Sequence, residues 1–267
     1  MLQPSLSAVK QQGFTLIELI MVIVITSIIA IGSTQFIVNS VQGLHDVSRR
    51  SALASTLTTS IAKIEAQLHN SLVDSIRIKR GASGQCVEMI PLQASAFYLQ
   101  APLSAASDQL KIISSGRQVI GMRAYIATAK PFNIYAALEN TAVSPFSGVI
   151  KTQQKMPDTN ISQLTLRKAH LFTGNSSQQV VSFVNKALSY CIEGDKLFRY
   201  SDYSLQKNQP LPINLPKKEP KRVLVSQGLL ASSRFSFDRE KLRFSLHLSA
   251  GNSQEQLSIN QLVLLQL

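Results

Sequence analysis

Residues 13–38 read GFTLIELIMVIVITSIIAIGSTQFIV, and this stretch decides the fold. Apart from Glu18 it carries no charged side chain. As a helix, Phe14 to Val38 reaches roughly 37 Å, enough to cross the hydrocarbon layer of a bilayer. Between Lys10 and Arg49 there is no basic residue, and the acidic ones are Glu18 and Asp46. The flanking charges, Lys10 before and Arg49-Arg50 after, differ too little to set orientation alone. A leader of residues 1–13 is too short to be a folded outside domain, so the reading is N-in, C-out. The remaining sequence has no second segment of this length and apolarity, which excludes a polytopic transporter or channel.

Glu18 is the anomaly. A carboxylate near the bilayer centre costs about 2.5–3.5 kcal/mol on insertion scales. In one reading it sits near the interface and its stem snorkels. In the other it meets a cationic partner inside the membrane. No Lys or Arg close in sequence supplies that partner, and a free α-amino group does so only if the chain is cut near Glu18.

The segment GFTLIELIMVIVI, with Gly13 before Phe14 and a glutamate four residues later, resembles the processing site of type IV prepilins and type II secretion pseudopilins. The resemblance implies cleavage between Gly13 and Phe14 by a membrane prepilin peptidase, then N-methylation of the new Phe14 amine. It implies an assembly role for Glu18, whose carboxylate neutralises the Phe14 amine of a neighbouring subunit as helices stack in register. The implied partners are the prepilin peptidase/N-methyltransferase, other major and minor pilins through the N-terminal helix, and an inner-membrane assembly platform. The implied location is the bacterial inner membrane as a single-pass precursor, then the pilus at the cell surface. A competing reading is an ordinary secretory signal peptide, with Lys10 as the n-region and Ala30-Ile31-Gly32 as a small-x-small site before Ser33. A charge inside the apolar run, and a helical pattern continuing past the cut, count against it.

That pattern is a stripe. Leu53, Leu57, Ile61, Ile64, Leu68 and Leu72 recur at helical spacing, predicting one helix from about Phe14 to Asp74. Gly32 and Gly43 weaken it by roughly 1 kcal/mol each relative to Ala. After Asp74 the period changes to two. SIRIKR, QCVEMIPL, LKIIS, FNIYAAL, ISQLTLRKAHLF and VVSF read as strands, and Gly194-Asp195 sits between the strands of a hairpin. SRFSFDREKLRFSLHLS reads as a second hairpin, and QLSINQLVLLQL as a buried strand. Residues 207–222, with four prolines and five basic residues against Glu219, read as an exposed loop between the hairpins. The fold class is α+β and type IV pilin-like: a long N-terminal helix packed on antiparallel sheet. The division is leader 1–13, transmembrane and assembly half 14–38, amphipathic half 39–74, and a β-rich globular domain 75–267.

The Arg- and Leu-rich helix, the strand ending CVEMIPL and the later LSYCIEGDKLFRY resemble the larger minor pilins. The two cysteines in those strands resemble most the O-type minor pilins of the mannose-sensitive haemagglutinin (MSHA) pilus. Cys86 and Cys191 are the only cysteines, both downstream of the exported segment, and an even count in an oxidising compartment favours a disulfide. Two buried thiols are the other reading. A loop of about 100 residues is worth roughly 4.7 kcal/mol in the chain-entropy model.

Support for catalysis is thin. His45, His69, His170 and His247 are scattered, with no HExxH, CxxC, GxxxxGK[ST] or GxSxG. Glu193 and Asp195 suggest calcium less than a hairpin turn. No cofactor or metal is expected. The 27 basic residues against 15 acidic ones leave +12, and removal of a leader takes only Lys10 from that excess. Such a charge suits an acidic neighbouring pilin or an anionic surface, and it leaves DNA or a surface ligand open without an interleaved aromatic and basic motif. The expected function is a non-enzymatic minor pilin that primes or caps pilus assembly at the tip. The alternatives are a type II secretion minor pseudopilin and a tip adhesin or DNA-binding minor pilin.

Overall fold

The computed structural model describes residues 13, 15–114, 116–130, 132–139, 142–252 and 255–266. The leader up to Gln12, and Phe14 with its proposed cleavage and methylation, lie outside the described residues. The chain divides into two compact units, one up to Ala52 and one from Leu53 onward.

The first unit is the opening part of helix α1, which runs Leu16–His69 in all. Its start is capped: the Thr15 hydroxyl accepts the Glu18 backbone N–H at 3.3 Å. Every described residue of α1 up to Ser51 is at least moderately exposed, including a run of Leu, Ile, Val and Met. Four of its hydroxyls are turned back on the backbone. Thr26, Ser27, Thr34 and Ser40 each donate to the carbonyl one turn earlier, at 2.6–2.8 Å. That pairing satisfies these four hydroxyl donors where water is absent. Gly32 and Gly43 do not break the helix.

In the second unit, α1 buries Leu57, Ile61, Ile64 and Leu68. It ends at His69 rather than Asp74. The Asn70 carbonyl accepts the Leu92 N–H at 2.9 Å and the Leu72 N–H donates to the Ile90 carbonyl at 3.0 Å, so β-type pairing takes over the backbone. Leu72, last of the apolar stripe, is buried beyond the helix, and Val73–Ser75 form a 3-10 turn.

Strands β1 (Arg77–Gly81) and β2 (Gly84–Met89) then form a hairpin. Gly84 cannot be replaced without movement, because its φ is +130° and a Cβ there would stand 2.1 Å from the Ile192 carbonyl oxygen. After β2 the chain makes a long excursion through β3 (Ala94–Gln100), β4 (Ser107–Ile113), β5 (Arg123–Tyr125), β6 (Phe146–Lys155), β7 (Ile161–His170) and β8 (Val180–Val184). These close into a barrel of order β3-β4-β7-β6-β5-β8. Leu110, Ile112, Ile150, Leu164, Val181 and Phe183 fill it.

The chain returns beside β2 as β9 (Lys186–Glu193), turns back as β10 (Lys196–Ser204), and adds β11 (Arg222–Gln227), giving an antiparallel sheet β1-β2-β9-β10-β11. A last sheet follows: β12 (Arg234–Asp238), β13 (Arg243–Gly251) and β14 (Gln256–Leu264). The apolar face of α1, the helix side of the first sheet and the inner faces of β12–β14 share one core, from Leu57 and Ile64 through Val87 and Tyr190 to Phe244 and Val263.

Three readings of the sequence need correction. FNIYAAL is not a strand: Ile134–Glu139 is a 3-10 helix. It docks on the turn after α1, with the Phe132 N–H donating to Asp74 and the Tyr135 hydroxyl to the Ser75 carbonyl. QLSINQLVLLQL is an edge strand. Val263 is buried, whereas Leu262 and Leu264 on the opposite face are exposed. Residues 207–222 join β10 to β11 and are exposed only in part: Gln209, Pro210, Pro212 and Leu215 are buried, while Lys207, Asn208 and Ile213 are exposed.

Candidate functional site

The residues singled out in the sequence fall in two places. Gly13 is exposed and outside any helix, and Glu18 lies in the first turn of α1, exposed. A carboxylate in the first turn is favoured by the unsatisfied N–H groups there. Among the described residues no cationic side chain pairs with Glu18. The helix beginning at Leu16 is long and apolar enough to cross a membrane, and its apolar window is buried nowhere within the chain. The chemistry this segment offers is association: an uncovered apolar rod with one charge near its start.

Cys86 and Cys191 are in the second unit. They stand directly opposite in the β2–β9 ladder, with Cα atoms 4.1 Å apart, and are joined by a disulfide. The bridge is fully buried under Tyr200, Tyr203 and Leu215. From the proline-rich segment Gln209 donates its amide to the Cys86 carbonyl at 3.0 Å. Four prolines in a short loop hold that cover with little chain entropy to lose.

Beside the bridge is a buried ion pair that sequence reasoning missed. Arg77 Nη2 and Nε both donate to Glu88 Oε1, at 2.7 and 3.0 Å. Tyr203 donates to the other carboxylate oxygen, and the Arg77 guanidinium lies 3.4 Å over the Tyr135 ring. Arg77 also donates to the carbonyls of Gln206 and Lys207. Burial raises the Glu88 carboxyl above its ordinary range, and the Arg77 charge acts against that rise. In CVEMIPL an alternating pattern puts Glu88 on a solvated face. The sheet is covered on both sides, so that signal misleads.

Glu193 is likewise committed. It accepts the Tyr200 hydroxyl proton and pairs with Arg222 at 3.5 Å, while burial and Glu193 push the Tyr200 phenol up to about 12. His170 is buried against the Ser144 carbonyl, its pKa lowered by burial. Among the described residues no group of three His, Cys, Asp or Glu converges on a metal-sized site.

A long N-terminal helix, uncovered in its apolar first part and seated in its second on antiparallel sheet, is a type IV pilin-like fold. Residues 9–34 match the prokaryotic N-terminal methylation motif, which supports membership of the type IV pilin and pseudopilin family. Among curated proteins and solved structures no match is found. The motif points to a structural subunit processed by a prepilin peptidase and associating with other pilins, and with the apolar helix it fits anchoring in the inner membrane before assembly.

Proposed function

We propose that this chain is a minor pilin of an MSHA-like type IV pilus, a non-enzymatic subunit that primes or caps assembly at the tip. The observation that carries the reading is the methylation motif at residues 9–34 opening an uncovered apolar helix. Prepilin peptidase cuts between Gly13 and Phe14, leaving a methylated Phe14 amine at the membrane surface. Glu18 of one subunit then meets the Phe14 amine of the next as helices pack. The tip position is supported by the barrel of β3–β8, which enlarges the globular unit: such bulk is easier to place once at a fibre end than repeatedly along its shaft. A pseudopilin of type II secretion shares the motif and is the runner-up.

Mass analysis of the mature chain tests the processing. The expected product begins with methylated Phe14, and Gly13→Arg leaves an uncut precursor in the inner membrane. A mature chain beginning at Ser33 overturns the pilin reading.

A further inference from the structure

The first sheet holds two buried side-chain atoms without a hydrogen-bond partner, Ser226 Oγ and Arg199 Nε, and the second belongs to a charged group. Arg199, on β10, pairs across the strands with Tyr190 on β9 and Val223 on β11, so it faces α1 together with the apolar core. Its Nε is buried without a hydrogen-bond partner. Among the described residues neither Arg199 nor Lys63, on the helix above it, forms an ion pair. A buried donor left unpaired is costly, and such groups are rare in native proteins unless something external completes them.

The two cations line the same cleft, a space of about 570 Å³ bounded by Lys63, Ala66, Gln67 and Asn70 of α1, by Tyr190 and Arg199, and by Val223, Leu224 and Val225. Gln67 and Asn70 add amide donors. The positive charge of Arg199 is felt at the Tyr190 phenol, where it acts against the rise caused by burial.

The last wall identifies the ligand. Val223, Leu224 and Val225 all border the cleft, where the pairing of β11 with β10 shifts by one residue at Val225, so the cleft reaches the outermost strand of the sheet. The outer edge of that strand is unpaired. Its one charge is Arg222 at its start and its pairing with β10 skips Val225, but along Val223–Gln227 there is no charge and no proline to keep another strand from adding. A free phosphate would use the cations and leave the edge idle. An extended peptide uses both.

We propose that this cleft receives an acidic side chain borne on an extended segment of a neighbouring pilin subunit, the segment pairing with the free edge of β11 while its carboxylate meets Arg199 and Lys63. The identity of the partner as a pilin rests on the proposed function; the chemistry of the cleft does not. Charge-assisted hydrogen bonds join the carboxylate to the Arg199 guanidinium where it lines the cleft, backbone pairing supplies affinity, and the excess of 27 basic over 15 acidic residues matches an acidic partner.

The test uses the full chain in detergent micelles with isotope-labelled arginine, reading the Nε–H resonance of Arg199, identified by its loss in Arg199→Gln. The probes are the peptide Thr-Val-Glu-Val-Thr, blocked at both ends, the same peptide with Gln in place of Glu, and inorganic phosphate. Saturable movement of the resonance by the Glu peptide is expected, with binding about tenfold weaker for the Gln peptide and for Lys63→Gln, equivalent to ~1.4 kcal/mol. Lys63 is exposed, so its variant folds even if Arg199→Gln does not. Equal binding of the two peptides, no movement with the Glu peptide, or phosphate saturating the site as well as the Glu peptide overturns the proposal. The mature N-terminus is weighed on the same preparation. An unmethylated start there sinks the pilin reading and leaves the peptide result standing on its own.

Discussion

Glu18 is exposed, capped by Thr15 through its backbone and without an ion-pair partner among the described residues. Removing its charge therefore costs the isolated subunit only the favourable first-turn placement, about 0.3–1 kcal/mol. Glu18→Gln is expected to insert into the membrane as well as the wild type, or slightly better, since no carboxylate enters lipid. Protease resistance of the second unit should be unchanged. Incorporation into pili should fall, because a neighbouring Phe14 amine would enter the bundle unpaired at a cost of several kcal/mol. Normal piliation with incorporated variant subunits rejects the role. Glu88 behaves in the opposite way. Its carboxyl is raised in the folded chain, so its contribution to stability is complete below the ordinary value of 4.5 and is lost as pH rises through the folded value. Melting wild type and Glu88→Gln in micelles from pH 7 down to about pH 5 should show the difference moving in favour of the wild type. A constant difference shows that this titration does not contribute.

The helix divides sharply in what its side chains do. Ile64 is fully buried against both sheets, whereas Leu44 is 70% exposed. Ile64→Ala should cost about 2–5 kcal/mol, read as a lower urea midpoint for the second unit, while Leu44→Ala should leave that midpoint unmoved. The stripe from Leu53 to Leu72 was legible because one face of a helix meets one core and a 3.6-residue period survives. The strand readings at β1, β2, β4, β7 and β8 followed from alternation. Alternation failed where its premise failed. Both faces of β2 are covered, so Glu88 is hidden; β14 is an edge, so an apolar string there is half exposed; and in FNIYAAL the buried Ile134, Tyr135 and Ala137 follow a tight helical turn. Nothing in a linear pattern announces that six strands close on one another, because closure depends on pairs such as Ala94–Phe183 far apart in sequence. For the same reason the Arg199 cleft could not be read before the helix and β11 were seen to share it.

The barrel leaves the first sheet after β2 and rejoins it at β9, and the disulfide ties those two strands at the point of departure and return. Loss of the bridge by Cys86→Ser with Cys191→Ser should destabilise the second unit by about 2–5 kcal/mol. Thiol reagent applied to the denatured, unreduced exported protein should modify neither cysteine; two labelled thiols refute the bridge. The same geometry governs how the subunit responds to pulling. Tension entering at the N-terminal helix and leaving at the C-terminus passes from β2 to β9 through the sulfur atoms, and the barrel hangs from that path as a slack side loop. When such a chain is stretched to rupture, the stretch between the cysteines, a separation of 105 residues, contributes nothing to its length until the bridge is reduced. At roughly 3.5 Å per residue, reduction should lengthen the fully stretched molecule by about 370 Å, so a chain pulled hard shields its barrel from the load for as long as the bridge is intact.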